Sequence, residues 1–275
     1  MKEQFSYRAY KWLIQRVTNN RNANQINRIQ NTNWDILVVL DACGINALRP
    51  IATWPVETVV SPASCTPEWL KELKQTEILN NHIITANPQY EKLDIDAEMY
   101  FETHWNDRLS TVLPEAILER ANEIAGDDEN VVVHLQQPHW PYVAKFGDSW
   151  KLAYTNLGPW TSEKGVIDSV QVAMARGYID VKMAKQAYLA SVKSVWSVLM
   201  PYINQWHDES LTTVVTADHG ETFGRFRDMK FYEHPCKCHI RPLTHVPWVK
   251  MGPQKEESIR DSTVDDRLKA LGYAE

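Results

Sequence analysis

Short apolar runs alternate along the chain with longer segments of helical periodicity. Runs of about four to eight β-branched and aliphatic residues are typical of strands buried on both faces, as in a parallel sheet. The clearest run begins at Ile36 and stays apolar until it reaches a carboxylate, Asp41. Strands are predicted at residues 34–41, 57–60, 82–85, 131–135, 213–216 and 245–249.

Helical patterns fill most of the segments between these strands. Thr66 is suited to cap a helix, Pro67 to its first position and Glu68 to its positive end. Longer helical patterns cover residues 1–30, 114–125, 166–207 and 262–271.

The order of these elements predicts the architecture. Strands that alternate with helices favour an α/β fold, with a mixed, mainly parallel sheet between two helical layers. One domain is predicted over residues 1–275, with an amphipathic helix at 1–30 and a helical tail at 250–275. Gly177 and Pro201 are expected to interrupt the long helical region, and residues 144–165 to form an irregular insertion over the cleft.

Composition narrows the class of protein. The 275 residues are 44% hydrophobic and 23% charged, which is ordinary for a globular chain. A net charge of -6 argues against a nucleic-acid binder. Four Cys residues make no convincing disulfide framework in a chain of this size, and no apolar run has the length of a membrane span. A cytoplasmic protein is therefore predicted.

The segment 1–30 combines basic and aromatic side chains. Such a helix can pack against the edge of the domain, or it can lie on an anionic membrane surface. We expect the first arrangement and keep the second as the alternative, which would make the protein peripheral to a membrane.

The candidate chemistry lies where predicted strands end. Asp41 follows the first strand, and Asp218 with His219 follows the strand at 213–216. Ligands gather at the carboxyl ends of strands in α/β sheets, and oxygen and nitrogen ligands of this kind hold divalent cations. The segment Ser64–Thr66 adds nucleophiles at a helix N-terminus, where backbone N–H groups attract phosphate or sulfate.

Several motifs together resemble the alkaline phosphatase/sulfatase superfamily, and in particular its archaeal sulfatase-like branch. They occur in the family's order and span nearly the whole chain, at residues 36–43, 64–69, 134–142, 216–221, 233–235, 245–248 and 268–273. The resemblance implies the alkaline phosphatase-like fold and a metal-dependent hydrolase or transferase that acts on sulfate or phosphate esters. The implied substrate is a sulfated or phosphorylated small molecule, a glycan or a lipid head group.

The resemblance also implies roles for individual residues. Asp41, Asp218 and His219 are expected to hold the metal together with the nucleophile. His139 is expected to contact the anionic oxygens of the substrate or to protonate the leaving group. His234 is expected to do the same or to hold a second metal ion.

More than one residue remains a candidate for the nucleophile, and more than one ion remains a candidate for the metal. Cys65 and Pro67 match the start of the sulfatase motif Cys-x-Pro-x-Arg, whose Cys becomes formylglycine, but Trp69 stands where Arg is expected. Thr66 is therefore preferred, with Cys65 second and Ser64 third. The nitrogen of His219 favours Zn²⁺ or Mn²⁺, with Mg²⁺ and then Ca²⁺ as alternatives.

Two other interpretations are weighed against an enzyme with one metal site. A catalytically degenerate relative would bind an anionic glycan or lipid head group without turnover. A separate zinc site could form at the cluster of thiols and imidazoles in the segment 234–239.

Overall fold

The computed structural model describes residues 11–127, 129–153, 170–175, 177–224, 231–232 and 234–253. The strands are β1 (Ile36–Asp41), β2 (Glu57–Val60), β3 (His82–Thr85), β4 (Glu98–Met99), β5 (Trp105–Asn106), β6 (Thr111–Val112), β7 (Val131–Pro138), β8 (Val143–Phe146), β9 (Ser149–Leu152), β10 (Thr213–Ala217) and β11 (His245–Met251). The helices are α1 (residues 11–17), α2 (Gln25–Gln30), α3 (Ile45–Leu48), α4 (Thr66–Leu73), α5 (Gln89–Lys92), α6 (Pro114–Ile124), α7 (Val170–Ala175), α8 (Val181–Asp208) and α9 (Arg241–Thr244).

A seven-stranded sheet in the order β2-β11-β10-β1-β7-β3-β4 forms the centre of the fold. The strands from β10 to β4 run parallel, whereas β11 is antiparallel to both β10 and β2. Every residue of β1 is buried, because β7 and β10 pair with its two edges and helices flank the sheet. The predicted mixed, mainly parallel sheet is therefore confirmed.

The long helix α8 corrects one prediction. Gly177 does separate α7 from α8, but Pro201 lies inside α8 and does not interrupt it. A proline removes a hydrogen bond from a helix interior at a cost of about 3 kcal/mol. Leu199, Ile203 and Trp206 are fully buried on the same helix, and their packing outweighs that cost.

The two ends of the chain also differ from expectation. Residues 11–17 are helical, but residues 18–24 are not, so the described part of the segment 1–30 is not one helix. The break allows Asn24 to pair with the edge of β2, where its N–H and side-chain oxygen both hydrogen-bond to Val60. Residues 1–10 and the predicted helix at 262–271 lie outside the described residues.

The expected irregular insertion begins with regular structure. Strands β8 and β9 form an antiparallel hairpin over residues 143–152, and the rest of the insertion from 154 onward lies outside the described residues. Within the described residues, no helix combines the length and the apolar character that a membrane span requires.

Gly220 brings the segment after β10 into close contact with α9. Its N–H donates to the carbonyl oxygen of Leu243, and a Cβ at this position would lie 2.2 Å from the carbonyl oxygen of Pro242. A side chain cannot be accommodated there without a shift of the backbone. The sequence Asp-His-Gly thus requires glycine for packing, immediately after two candidate ligands.

We expect Gly220→Ala to lower the free energy of unfolding by about 1–3 kcal/mol, the usual cost of overpacking. Gly44→Ala is the matched control, because a Cβ there would meet its neighbours only at ordinary contact distances of 3.7 Å or more. Urea unfolding of both variants measures the difference. Equal stability of the two variants would show that the approach of α9 is not tight.

Candidate active site

Three adjacent strands deliver acidic and imidazole side chains to one buried point. Asp41 is the last residue of β1, Asp218 follows β10, and His134 lies on β7. Each offers one ligand atom, and these atoms all lie within 4.8 Å of one another. The three side chains are almost completely shielded from solvent.

Hydrogen bonds hold both carboxylates in place. Asp41 Oδ2 accepts a hydrogen bond of 2.8 Å from Asn87 Nδ2, whereas its Oδ1 has no partner among the described residues. Asp218 Oδ1 accepts from the backbone N–H groups of Ala42 and His219, at 3.1 and 2.7 Å. The protein thus fixes both carboxylates, and Asp41 Oδ1 is a buried acceptor to which none of the described residues donates a hydrogen bond.

Two histidines face this pair of carboxylates. His219 Nε2 lies 3.6 Å from both Asp41 Oδ1 and Asp218 Oδ2, and its Nδ1 is 2.8 Å from the carbonyl oxygen of Gly220. That contact requires the proton on Nδ1 and leaves a lone pair on Nε2. His134 Nε2 has no hydrogen-bond partner among the described residues, and it lies 3.9 Å from Asp218 Oδ2.

The electrostatics describe a site that lacks positive charge. Burial raises the pKa of Asp41 well above its usual range, and repulsion from Asp218 and Glu221 raises it further. Burial acts the same way on Asp218, but His219 and His134 outweigh it, and the pKa of that carboxyl is lowered. Burial also lowers the pKa of His134 to about 4 and lowers that of His219.

These residues fit a divalent cation. Asp41 Oδ1 and His134 Nε2 are buried polar atoms without partners, and such atoms are costly unless a cation or a donor satisfies them. Mixed carboxylate and imidazole ligands suit Zn²⁺ or Mn²⁺. Asp41, Asp218 and His219, the three metal ligands predicted from the sequence, lie close together, and their role as ligands stays a prediction.

Thr66 lies beside this cluster at the first position of α4. Cys65, not Thr66 itself, is the N-cap, because Cys65 has the extended backbone conformation that precedes a helix. Thr66 is a helical residue, and its hydroxyl does not cap the helix but faces the ends of the strands. Its Oγ1 donates a 2.6 Å hydrogen bond to Asp218 Oδ2.

His139 and His234 form a pair next to the cluster. Their Nε2 atoms are 3.3 Å apart, and the ring of His234 also packs against that of His219, with centroids 4.8 Å apart. His139 Nδ1 lies 2.7 Å from the carbonyl oxygen of Trp140, and His234 Nδ1 lies 3.1 Å from Glu221 Oε1. Both Nδ1 atoms therefore carry protons, and a proton added to either Nε2 makes that one atom a donor.

A disulfide between Cys65 and Cys236 joins the start of α4 to the segment that carries His234. The sequence offers no convincing disulfide framework and did not indicate this single bridge, because the fold brings two residues 171 positions apart to a Cα–Cα distance of 5.1 Å. Cys65 has no thiol in this state. The alternative zinc site in the segment 234–239 is likewise contradicted, since Cys236 is oxidised and His239 Nε2 contacts Glu68 Oε1.

Hydrogen bonds reinforce the same junction. Ser64 Oγ donates to the carbonyl oxygen of Pro235 and accepts from the N–H of Cys238. Glu68 Oε2 accepts from the N–H of Lys237. Burial would raise the pKa of Glu68. Hydrogen bonds from His239 and from the backbone N–H groups of Lys237 and Ser64 outweigh burial and lower the pKa to about 2. Ser64, the third candidate nucleophile, thus serves to hold the loop.

The sequence did not single out His134, Asn87 or Tyr90. Tyr90 Oη lies 3.1 Å from His134 Nδ1 and orients that ring. His134 is itself a polar residue inside the apolar run 131–135, and this was the available signal in the sequence. Asn87 and Tyr90 follow β3 and carried no signal, because their role depends on the order of strands in the sheet.

Comparison with known proteins identifies the fold. No protein-family model and no curated protein matches the sequence. Among solved structures, the integral membrane protein lipooligosaccharide phosphoethanolamine transferase A from Neisseria meningitidis matches with a TM-score of 0.50 and 12% identity. The match covers 89% of this chain and 52% of that chain.

Isolated periplasmic domains match over similar lengths. The C-terminal periplasmic domain of phosphoethanolamine transferase EptC from Campylobacter jejuni has a TM-score of 0.50 and 12% identity, over 80% of this chain and 79% of that chain. The EptC domain from Escherichia coli, in complex with Zn, has a TM-score of 0.49 and 13% identity, over 84% and 76%. At these identities the likeness shows the fold alone, and the chain has the fold of the alkaline phosphatase superfamily.

The disulfide gives a stability prediction. We expect a thiol reductant to lower the free energy of unfolding by about 3 kcal/mol, because the open form regains the entropy of a long closed loop. The double variant Cys65→Ala/Cys236→Ala is the control and should show no response to reductant in urea unfolding. Equal loss in wild type and double variant would mean that the reductant acts elsewhere.

Proposed function

We propose that the chain is a metal-dependent hydrolase or transferase that acts on phosphate or sulfate esters through Thr66. The observation that carries this proposal is the 2.6 Å hydrogen bond from Thr66 Oγ1 to Asp218 Oδ2. It places a hydroxyl nucleophile against a carboxylate of the ligand cluster and at a helix N-terminus, where an anionic ester is attracted.

The metal would be held by Asp41 Oδ1, Asp218 Oδ2 and His219 Nε2, with Thr66 Oγ1 completing the set. His134 Nε2 is a further ligand candidate, because it too is buried and unpartnered. When bound, a divalent cation at such a site neutralises the charge of the ester and lowers the pKa of the hydroxyl. Zn²⁺ or Mn²⁺ suits the ligands best.

Side chains around the metal-ligand cluster carry out the remaining steps of the proposed reaction. Asp218 Oδ2 orients the Thr66 hydroxyl, whose proton passes to water as Oγ1 attacks the phosphorus or sulfur atom. A bond from Oγ1 to that atom forms, and the bond to the leaving oxygen breaks. Burial and the neighbouring His234 lower the pKa of His139 to about 4, so we expect this pair to take up a proton when the negative charge of the ester lies beside it. That proton passes from Nε2 to the leaving oxygen, and water or an acceptor then releases the group from Thr66.

Phosphate esters are the better supported substrate class. The disulfide occupies Cys65, the residue that would have to become formylglycine in a sulfatase. This supports the unmodified Thr66, as does the fold shared with two phosphoethanolamine transferases. A phosphorylated lipid head group or glycan suits the site, whereas membership of an archaeal sulfatase-like branch stays a prediction. The disulfide also favours an oxidising compartment over the predicted cytoplasm.

We expect metal-loaded wild type to turn over aryl phosphates or phosphodiesters faster than aryl sulfates. Thr66→Ala should retain bound metal and lose at least about a thousandfold in kcat, because the nucleophile is gone. Thr66→Ser keeps a hydroxyl and is the matched control. Metal content and turnover are measured on the same samples.

Loss of activity in Cys65→Ala with full activity in Thr66→Ala would reverse the assignment of the nucleophile. Bound metal without turnover of any ester would leave the degenerate anion-binding relative as the correct class.

Contact with a membrane surface is supported by α1. Trp12, Leu13 and Val17 are 54%, 48% and 65% exposed, whereas Ile14 on the opposite side packs into a small core with Phe231. An outward apolar face beside basic residues is typical of helices that bind anionic lipid surfaces. The helix thereby would bring the site to a lipid substrate.

We expect the chain to sediment with vesicles that contain anionic phosphatidylglycerol. The double variant Trp12→Ser/Leu13→Ser should bind about tenfold more weakly, because the buried apolar area is lost. Phe146→Ser removes an equally exposed aromatic residue from another surface and is the control. Unchanged sedimentation of the double variant would remove the membrane proposal.

A further inference from the structure

A cavity of about 560 Å³ lies beside the candidate active site. Its walls come from α3 and the turn before it, from α8, from residues 221–223 and from α9. Gly44 in this wall follows Asp41 by three positions, and Glu221 follows His219 by two. The cavity has the volume of an ordinary small-molecule site and shares two chain segments with the metal-ligand cluster.

Positive charge dominates the lining of this cavity. Arg49, Lys185 and Arg241 line it together with His245, and Glu221 is the one carboxylate among the lining residues. The side chains of Arg241 and Lys185 make no hydrogen bond or ion pair within the described part of the chain.

The single carboxylate does not neutralise these cations. Glu221 is buried, and its Oε1 pairs with His234 Nδ1 at 3.1 Å. Burial lowers the pKa of His245, and the charge of the neighbouring Arg241 lowers it further. Arg49 donates to the carbonyl oxygen of Val56 and to Thr58, both uncharged partners that leave its charge in place.

Apolar and aromatic side chains complete the cavity. Ile45, Leu189 and Phe223 line it beside the cations. The ring of Phe223 packs against that of Tyr188 with centroids 5.0 Å apart, and Tyr188 Oη donates to the carbonyl oxygen of Ala42. These walls are therefore rigidly tied to the end of β1 and can cover a carbon skeleton while the cations bind an anion.

We propose that this cavity binds a second anionic group of the substrate, a phosphate, sulfate or carboxylate that lies beyond the ester that reacts at Thr66. Arg241 and Lys185 bind that group, Arg49 adds positive field, and Phe223 packs against the linking carbon atoms. The inference rests on the proposed function for the position of the reacting ester. It narrows the substrate class to esters with at least two anionic groups.

The first test compares two aryl esters that differ only in the second charge. Phenyl phosphate has one anionic group, whereas 4-(phosphonomethyl)phenyl phosphate adds a phosphonate that cannot be hydrolysed. In wild type we expect a KM about tenfold lower for the second ester, because a charge-assisted hydrogen bond is gained. In Arg241→Gln the two KM values should become nearly equal.

Lys182→Gln is the matched control for this test, since it removes the same charge from an exposed residue of α8 that does not line the cavity. It should leave the ratio of the two KM values at its wild-type value. A ratio near one in wild type, or an unchanged ratio in Arg241→Gln, would overturn the proposal.

The second test does not depend on catalysis. We expect metal-free wild type to bind benzylphosphonate, measured by calorimetry, and the double variant Lys185→Gln/Arg241→Gln to bind it at least about tenfold more weakly. Equal binding by the double variant overturns the cavity proposal even if the esters are turned over. Weakened binding together with no ester turnover would instead uphold the cavity and refute the proposed function.

Discussion

The burial of Asp41 and Asp218 near one another is the interaction on which the site depends. Two carboxylates in a dry environment repel each other strongly, and repulsion from Asp218 adds to burial in raising the pKa of Asp41. Such a pair persists only when the surrounding scaffold holds it. The neighbouring positions of β1 and β10 in the sheet do so, and a cation would relieve the repulsion.

The backbone around this pair is correspondingly constrained. Ala42 has a φ of 61°, in the left-handed region that a non-glycine residue adopts at a cost. Its N–H donates to Asp218 and its carbonyl oxygen accepts from Tyr188. One strained residue thus links the two carboxylates to α8, and through Tyr188 to the cavity wall.

Part of this organisation could be predicted from sequence, and the rest could not, for physical reasons. Apolar runs identify buried strands because burial acts residue by residue, so the strand that ends at Asp41 was clear. The same reasoning could not find the partner of Cys65, which depends on a contact between residues 171 positions apart.

Local reasoning also fails where tertiary packing overrides propensity. Pro201 was expected to break a helix and instead lies within one, because the buried face of α8 outweighs the lost hydrogen bond. The sequence does not indicate the role of His134, because an isolated histidine in an apolar run gives no sign of its neighbours. Only the strand order places it between Tyr90 and Asp218.

The central position of β1 has a consequence for how the chain folds. Its pairing partners begin at Val131 and Thr213, so the most apolar strand is synthesised long before either partner exists. Such long-range pairing is slow, and the unpaired strand is prone to aggregation in the interval. The nascent chain therefore exposes the centre of its own core until most of its length has been made, and its yield should depend on chaperones that shield this segment.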